Sequence, residues 1–248
     1  MPQSSPILSV IVPVYNERAT LEPLLRRVQE LPLDLEIIIV DNVSSDGTRE
    51  WLEGLLGSGE AGGEDSTAPL RVVFQRENKG KGASVRRGLT LARGEWVVVQ
   101  DADLEYDPRD LLKLLHFAQS KRLDAVFGTR LSPRSDTMRA QPRTAFFYGR
   151  VGLTLFYRVL YGAPLGDVAT CYKLMRRSFA QSLGLRCDGF DLDFEIAAKV
   201  ALAHKRGARV GQRPISYQPR TELEGKKIRV VRDGLRAVWA LLRFRFAG

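Results

Sequence analysis

Short, β-branched apolar runs recur through the first half of this chain, spaced so that one helix fits between each pair, and this alternation restricts the fold more than any other feature. Ile7 to Pro13, Leu35 to Val40, Leu70 to Gln75, Glu95 to Gln100 and Asp124 to Gly128 each read as a strand. The first two are apolar at every position but Ser9 and Glu36, as expected for a strand buried on both faces. Between the runs, Thr20 to Glu30 (with Pro23 in its first turn), Thr48 to Leu56, Lys81 to Arg93, and a segment opened by Asp107-Pro108 and ending near Ser120 read as helices. Such an order predicts an α/β fold: a mostly parallel sheet flanked by helices, with ligands bound at the carboxyl ends of the strands.

Gly57 to Pro69 is rich in Gly, Ser and acidic residues and reads as a mobile loop. The second half is less regular. Arg143 to Tyr161 reads as an amphipathic helix, Asp193 to Lys205 as another, and Arg209 to Gln218 as a strand. Lys227 to Phe246 reads as a basic helix with Val231, Leu235, Val238 and Leu242 at helical spacing.

Charge is placed unevenly. From Lys205 onward there are twelve Lys or Arg and three Asp or Glu, so this tail accounts for the whole formal net charge of +9. A basic tail suits an anionic membrane surface, phosphorylated substrates or nucleic acid. The N-terminus lacks the pattern of a signal peptide and no run reaches the length of a membrane span, so the expected location is cytoplasmic. Cys171 and Cys187 lack metal-site spacing and read as reduced, partly buried thiols.

The acidic clusters carry the chemistry. Asp101-Ala102-Asp103 closes an apolar strand, where alternation aims both carboxylates the same way, and Glu105 follows closely. Hard cations such as Mg²⁺ and Mn²⁺ take carboxylate oxygens and leave positions for phosphate, so this cluster is a candidate site for a divalent metal beside a nucleoside diphosphate. Asp41 ends the second strand and faces the same edge, placed to hydrogen-bond a base or ribose. Pro13-Val14-Tyr15-Asn16-Glu17 offers that edge a ring and a carboxylate. Asn78-Lys79-Gly80-Lys81-Gly82 resembles a phosphate-cradling loop but lacks the full Gly-rich fingerprints of known nucleotide loops.

Taken in order, PVYNE at 13–17, DNVSSDGT at 41–48, NKGKGASVRRG at 78–88, DADLEYDP at 101–108 and GTR at 128–130 resemble the family 2 inverting glycosyltransferases of GT-A fold, most of all the dolichol- or polyprenyl-phosphate mannosyltransferases. The resemblance implies a Rossmann-like catalytic domain over residues 1–218, with 1–6 flexible, and an acceptor loop plus amphipathic helix over 219–248. It implies that Pro13, Tyr15, Glu17 and Asp41 hold the nucleoside of a GDP- or UDP-linked sugar. Asp101, Ala102 and Asp103 would bind ribose-diphosphate and metal, with Asp103 the direct ligand and Glu105 assisting. Arg130 would meet phosphate, and Arg220 and Lys226, in PRTELEGKK, would contact the phosphates from a mobile loop. Arg130, Arg143 and Arg220 are then the candidate partners of an acceptor phosphate, and Asp101, Asp103 and Arg220 the candidate catalytic set.

Asn42, Glu105 and Ala169-Thr170-Cys171-Tyr172 depart from the family's usual residues, which leaves the sugar and the acceptor's fine structure open. The expected acceptor is a polyprenyl phosphate reached from the cytosolic membrane face, with the two amphipathic helices as interfacial elements. A lipid phosphate is already anionic at neutral pH and needs no general base. For a hydroxyl acceptor, the alternative, Asp193 and Glu195 are the candidate bases. A nucleic-acid-binding role leaves the clustered acids unexplained, since they would repel a phosphate backbone.

Overall fold

The computed structural model describes residues 6–132, 138, 141–163, 165–220 and 230–246. Strands β1 (Leu8–Val14), β2 (Leu35–Asp41), β3 (Leu70–Phe74) and β4 (Trp96–Val99) form a parallel half-sheet. Their side chains are buried on both faces, which is why the sequence shows continuous apolar runs there instead of alternation. The helices α1 (Arg18–Gln29), α2 (Thr48–Gly57) and α3 (Lys81–Leu91) connect them. Gly88 on α3 lies so close to β1 that a Cβ there would stand 2.4 Å from Ile11.

Beyond β4 the sheet continues through β6 (Lys173–Arg176), β5 (Ala125–Thr129) and β7 (Val210–Pro214), giving the order β3-β2-β1-β4-β6-β5-β7. The strand β6 runs antiparallel to both neighbours, so the sheet is mixed, with one reversed strand among parallel ones. Sequence reading misses β6 because it is only four residues long and opens on a lysine that is itself buried. Helix α4 (Asp110–Ser120) precedes β5, while α6 (Arg177–Ser182) and α7 (Leu192–Lys205) follow β6.

The two amphipathic helices predicted from sequence are present as α5 (Ala145–Tyr161) and α8 (Val230–Phe246). They pack on each other, and α8 also packs on α7. Ala237, Ala240, Leu241 and Phe244 form the buried stripe of α8, while Tyr161 donates to the carbonyl of Leu241 at 2.7 Å. The stripe differs in phase from the one read in sequence, for Leu235 is exposed. Segment 58–69 is tied to the sheet: Gly62 bridges to Arg71, and Arg93 donates to the carbonyl of Thr67 at 3.2 Å.

The end of the sheet away from the strands' carboxyl termini is fastened by a buried charge cluster. Glu36 accepts from Ser9 at 2.6 Å, from Arg71 at 2.7 Å and from Arg93 at 2.9 Å. Burial disfavours the carboxylate, but the bonds from Ser9 and Arg93 and the charge of Arg71 outweigh it and hold the group below its ordinary value. No helix among the described residues is long and apolar enough to cross a membrane.

Candidate active site

A cleft of about 550 Å³ opens at the carboxyl ends of β1, β2 and β4, roofed by the start of α5, the loop after β7 and the first described turn of α8. Each of the three loops that leave these strands contains a non-glycine residue in the left-handed region: Asn16 (φ 53°), Val43 (φ 64°) and Leu104 (φ 60°). A β-branched residue such as Val43 rarely adopts that conformation, and strain of this kind concentrates where loops shape ligand sites. The loops are also stitched together. Ser44 Oγ accepts from the Asn16 N–H at 2.9 Å, Asn16 Oδ1 from the Ser45 N–H at 2.7 Å, and Thr48 Oγ1 from the Glu17 N–H at 3.1 Å.

Pro13, Tyr15, Glu17, Asp101, Ala102, Asp103, Glu105, Arg130 and Arg220, all singled out in the sequence, line this one cleft. Asp41 does not reach its wall. Its carboxylate is fully buried beneath the β2 loop, where it accepts from the Ser44 N–H at 3.2 Å and pairs with Arg49 at 3.4 Å. The neighbouring Asn42 lines the cleft in its stead and donates to Asn78 Oδ1 at 2.7 Å, which couples this loop to the NKGKG segment. Arg143 lies just before α5, exposed and off the cleft wall. Lys226 lies outside the described residues.

The two aspartates of the DAD segment face different cations. Lys81 Nζ stands 2.7 Å from Asp101 and 3.6 Å from Asp193, whereas Asp103 faces Arg220 at 3.4 Å. Burial, reinforced by the charges of Asp101 and Glu105 and opposed by Arg220, raises the Asp103 carboxyl to about 7. This part of the cleft therefore holds more negative charge than its own cations neutralise.

Among the described residues no three His, Cys, Asp or Glu side chains form a ready metal cluster. Glu105, expected to assist as a ligand, is committed elsewhere: Oε2 accepts from the Tyr217 hydroxyl at 2.8 Å and Oε1 from the Arg220 N–H at 2.8 Å. Asp101, paired with Lys81, and Asp103, facing Arg220, remain as two carboxylates on the cleft wall. That arrangement fits a hard cation whose other ligands come from a diphosphate and water.

Lys81 belongs to a motif quoted in the sequence, yet its partner could not be read there. It is brought to Asp101 because Gly80 (φ 99°) and Gly82 let the start of α3 press against residues 187–189, where a Cβ on either glycine would come within 2.5 Å of a backbone oxygen. Burial opposes its charge, but Asp101 and Asp193 hold the ammonium well above its ordinary value.

Arg130 reaches the cleft with its guanidinium clamped by the buried Asp167, at 2.7 Å to Oδ2 and 2.9 Å to Oδ1, and it donates to Tyr106 at 2.8 Å. Nothing in the spacing of Arg130 and Asp167 announces this pair. Asp193 lines the cleft and pairs with Lys173 at 2.6 Å. Burial notwithstanding, Lys173 and Lys81 keep its carboxyl below the ordinary value, a poor setting for a general base. Glu195 is not on the cleft wall; it is buried, accepts from the N–H groups of Arg186 and Cys187, and pairs with Lys199 at 2.7 Å.

Residues 9–184 match the model of glycosyl transferase family 2, and the chain belongs to that family. It is a glycosyltransferase. It is 27% identical over 229 residues to a dolichol-phosphate mannosyltransferase of Saccharomyces cerevisiae, covering 88% of this chain and 80% of that protein. Identity is 25% over 256 residues with a dolichyl-phosphate beta-glucosyltransferase of Dictyostelium discoideum, covering 96% of this chain and 74% of that protein. A dodecaprenyl-phosphate galacturonate synthase of Rhizobium johnstonii is 32% identical over 189 residues, and the chain spans 52% of its length. Among solved structures, glucosyl-3-phosphoglycerate synthase of Mycobacterium tuberculosis, in complex with Mn²⁺, UDP and phosphoglyceric acid, superposes with a TM-score of 0.66. That match has 18% identity and covers 97% of this chain and 79% of that one, which shows the GT-A fold.

Proposed function

We propose that this enzyme transfers a hexose from a nucleotide-diphosphate sugar to a polyprenyl phosphate at a membrane surface, on its cytosolic face, with a divalent metal held at Asp101 and Asp103. One observation carries the reading: the helices that roof the DAD cleft turn their apolar faces outward beside it. Phe146 and Leu153 of α5 line the cleft, as does 232–234 of α8. Tyr148, Val151, Leu155 and Val159 of α5 and Leu235, Trp239 and Phe246 of α8 make up seven of the nine exposed large hydrophobics among the described residues. Arg158, Arg236 and Arg243 stand on the same helices, and this pairing of apolar and basic groups suits an anionic lipid surface. The names of the curated relatives, which act on dolichyl and polyprenyl phosphates, support the same acceptor class.

In this reading Pro13, Tyr15, Glu17 and Asn42 hold the nucleoside, while Lys81 and Arg220 flank the diphosphate. A bound Mg²⁺ or Mn²⁺ would neutralise charge on the departing diphosphate, the role for which hard cations suit phosphate leaving groups. A phosphate oxygen of the acceptor attacks the anomeric carbon in line. The C–O bond to the nucleoside diphosphate breaks with its electron pair, and configuration inverts. No proton moves, because the attacking phosphate is already anionic. The chain's own task is to align two anions and screen their repulsion with Lys81, Arg130 and Arg220.

The test is incubation with undecaprenyl phosphate and a panel of radiolabelled GDP- and UDP-sugars, followed by solvent extraction. Label entering the organic phase with one donor is the expected result. No label from any donor would overturn the lipid-phosphate assignment.

A further inference from the structure

Among the described residues, Arg150 is a cation of the cleft with no carboxylate paired to it. Arg150 projects into the cavity from α5, with Phe147 and Tyr217 against its guanidinium at 5.6 and 5.5 Å. Its Nη2 donates to the side-chain carbonyl of Gln141, and its buried Nε has no hydrogen-bond partner among the described residues. Among the described residues no carboxylate lies within ion-pair distance of it. The nearby Asp167 is already spanned by both arms of Arg130, so Arg130, Asp167 and Arg150 together leave one positive charge unmatched.

A half-buried cation without a counter-charge is costly, and an anion entering the cleft relieves that cost. Gln141 holds the guanidinium in place, since its Nε2 also donates to the carbonyl of Arg130 at 3.1 Å. Phe146 and Leu153 lie one helical turn either side of Arg150 and line the same cavity, so the charge sits beside an apolar strip.

We propose that Arg150 grips the phosphate monoester of the acceptor, with the acceptor's hydrocarbon leaving along Phe146 and Leu153. The inference rests on the acceptor reading above and deepens it. It puts Arg150 of α5 in the role expected from sequence for Arg143, which lies just before α5 and off the cleft wall. The guanidinium fork matches two phosphate oxygens, whereas a lysine supplies a single point of charge.

The test is steady-state transfer by wild type, Arg150→Gln and Arg150→Lys, varying polyprenyl phosphate and donor separately, with inorganic phosphate as a soluble competitor. Arg150→Gln is expected to raise the acceptor KM about tenfold or more, leave the donor KM within about twofold, and weaken inhibition by inorganic phosphate. Arg150→Lys is expected to recover part of the acceptor KM and supplies the measurement if the glutamine variant fails to fold. Competition by inorganic phosphate that is unchanged in both variants would overturn the inference, because the charge would then serve packing only. Wild-type transfer with an unmoved acceptor KM in the variants overturns this inference alone. No wild-type transfer to any prenyl phosphate overturns the acceptor reading and this inference with it.

Discussion

Arg220 and Glu17, 203 residues apart, are joined side chain to side chain by two hydrogen bonds of 3.0 and 3.1 Å. The contact latches the loop after β7 onto the first loop of the sheet, directly above Asp103. Burial disfavours the guanidinium's charge, but Glu17 and Asp103 raise its proton affinity above the ordinary value, so it remains a full cation where the diphosphate is expected. Arg220→Ala is therefore expected to lower kcat by about a hundredfold, the usual cost of deleting one positioned charge-stabilising donor. Steady-state kinetics with both substrates saturating will measure it; a kcat within about threefold of wild type would place Arg220 outside the reacting centre.

Glu36 makes a contrasting case, since it serves only the fold. Its replacement by alanine leaves Arg71, itself 4% exposed, without a counter-charge. The expected loss is about 3–5 kcal/mol, the cost of breaking a buried pair from one side. Because the folded carboxyl lies below its ordinary value, the stabilisation is full at neutral pH and is lost as pH falls through the folded value. Chemical denaturation of wild type and Glu36→Ala at neutral and acidic pH tests this, with the gap between them expected to shrink on acidification.

Asp103 titrates in the opposite sense. Its carboxyl, raised to about 7, binds a proton more tightly in the folded chain than in the unfolded one. Without metal it therefore contributes stability at low pH that is lost as pH rises from about 4 through about 7. Cation binding needs the carboxylate, so Mn²⁺ affinity is expected to rise by up to about tenfold per pH unit below about 7 and to level off above it. Calorimetric titration in buffers of different ionisation heat is expected to show proton release that fades above that pH. An affinity independent of pH would contradict the assignment of Asp103 as a ligand.

The apolar faces of α5 and α8 make a prediction about the membrane. Leu235 and Trp239, 68% and 67% exposed, lie one turn apart on α8. Changing both to serine is expected to reduce flotation with vesicles containing acidic lipid by about tenfold, since each side chain contributes on the order of 1 kcal/mol or more when it enters the headgroup region. Melting temperature is expected to stay near that of wild type, because neither side chain packs in the core. Unchanged flotation would return these helices to a purely structural role.

The parallel half of the sheet and the acids at its edge were legible in the sequence because burial on both faces writes itself as nearly continuous apolar runs, and Asp101 and Asp103 follow one of them. Elsewhere the deciding facts are long-range. Lys173 looks like a surface residue, but it is buried against Asp193 and the carbonyl of Thr170, and the short reversed strand it opens joins β4 to β5. Arg143 and Arg150 are equally basic in sequence. Only the start of α5 at Ala145 decides that the first stays outside and the second turns into the cleft. Asp41 ends its strand, much as Asp101 comes just after β4, yet the β2 loop folds over it, a consequence of the bonds it makes to Ser44 and Arg49.

In the proposed mechanism Asp101 and Asp103 hold a cation beside the donor's diphosphate. The most direct test of this role is the rate of sugar transfer by wild type and Asp103→Ala as a function of Mn²⁺ and Mg²⁺ concentration, after removal of bound metal. The expected result is saturable cation dependence in wild type and a loss of about a thousandfold in rate in the variant at every concentration. Transfer by Asp103→Ala at the wild-type rate, with the same cation requirement, would contradict it.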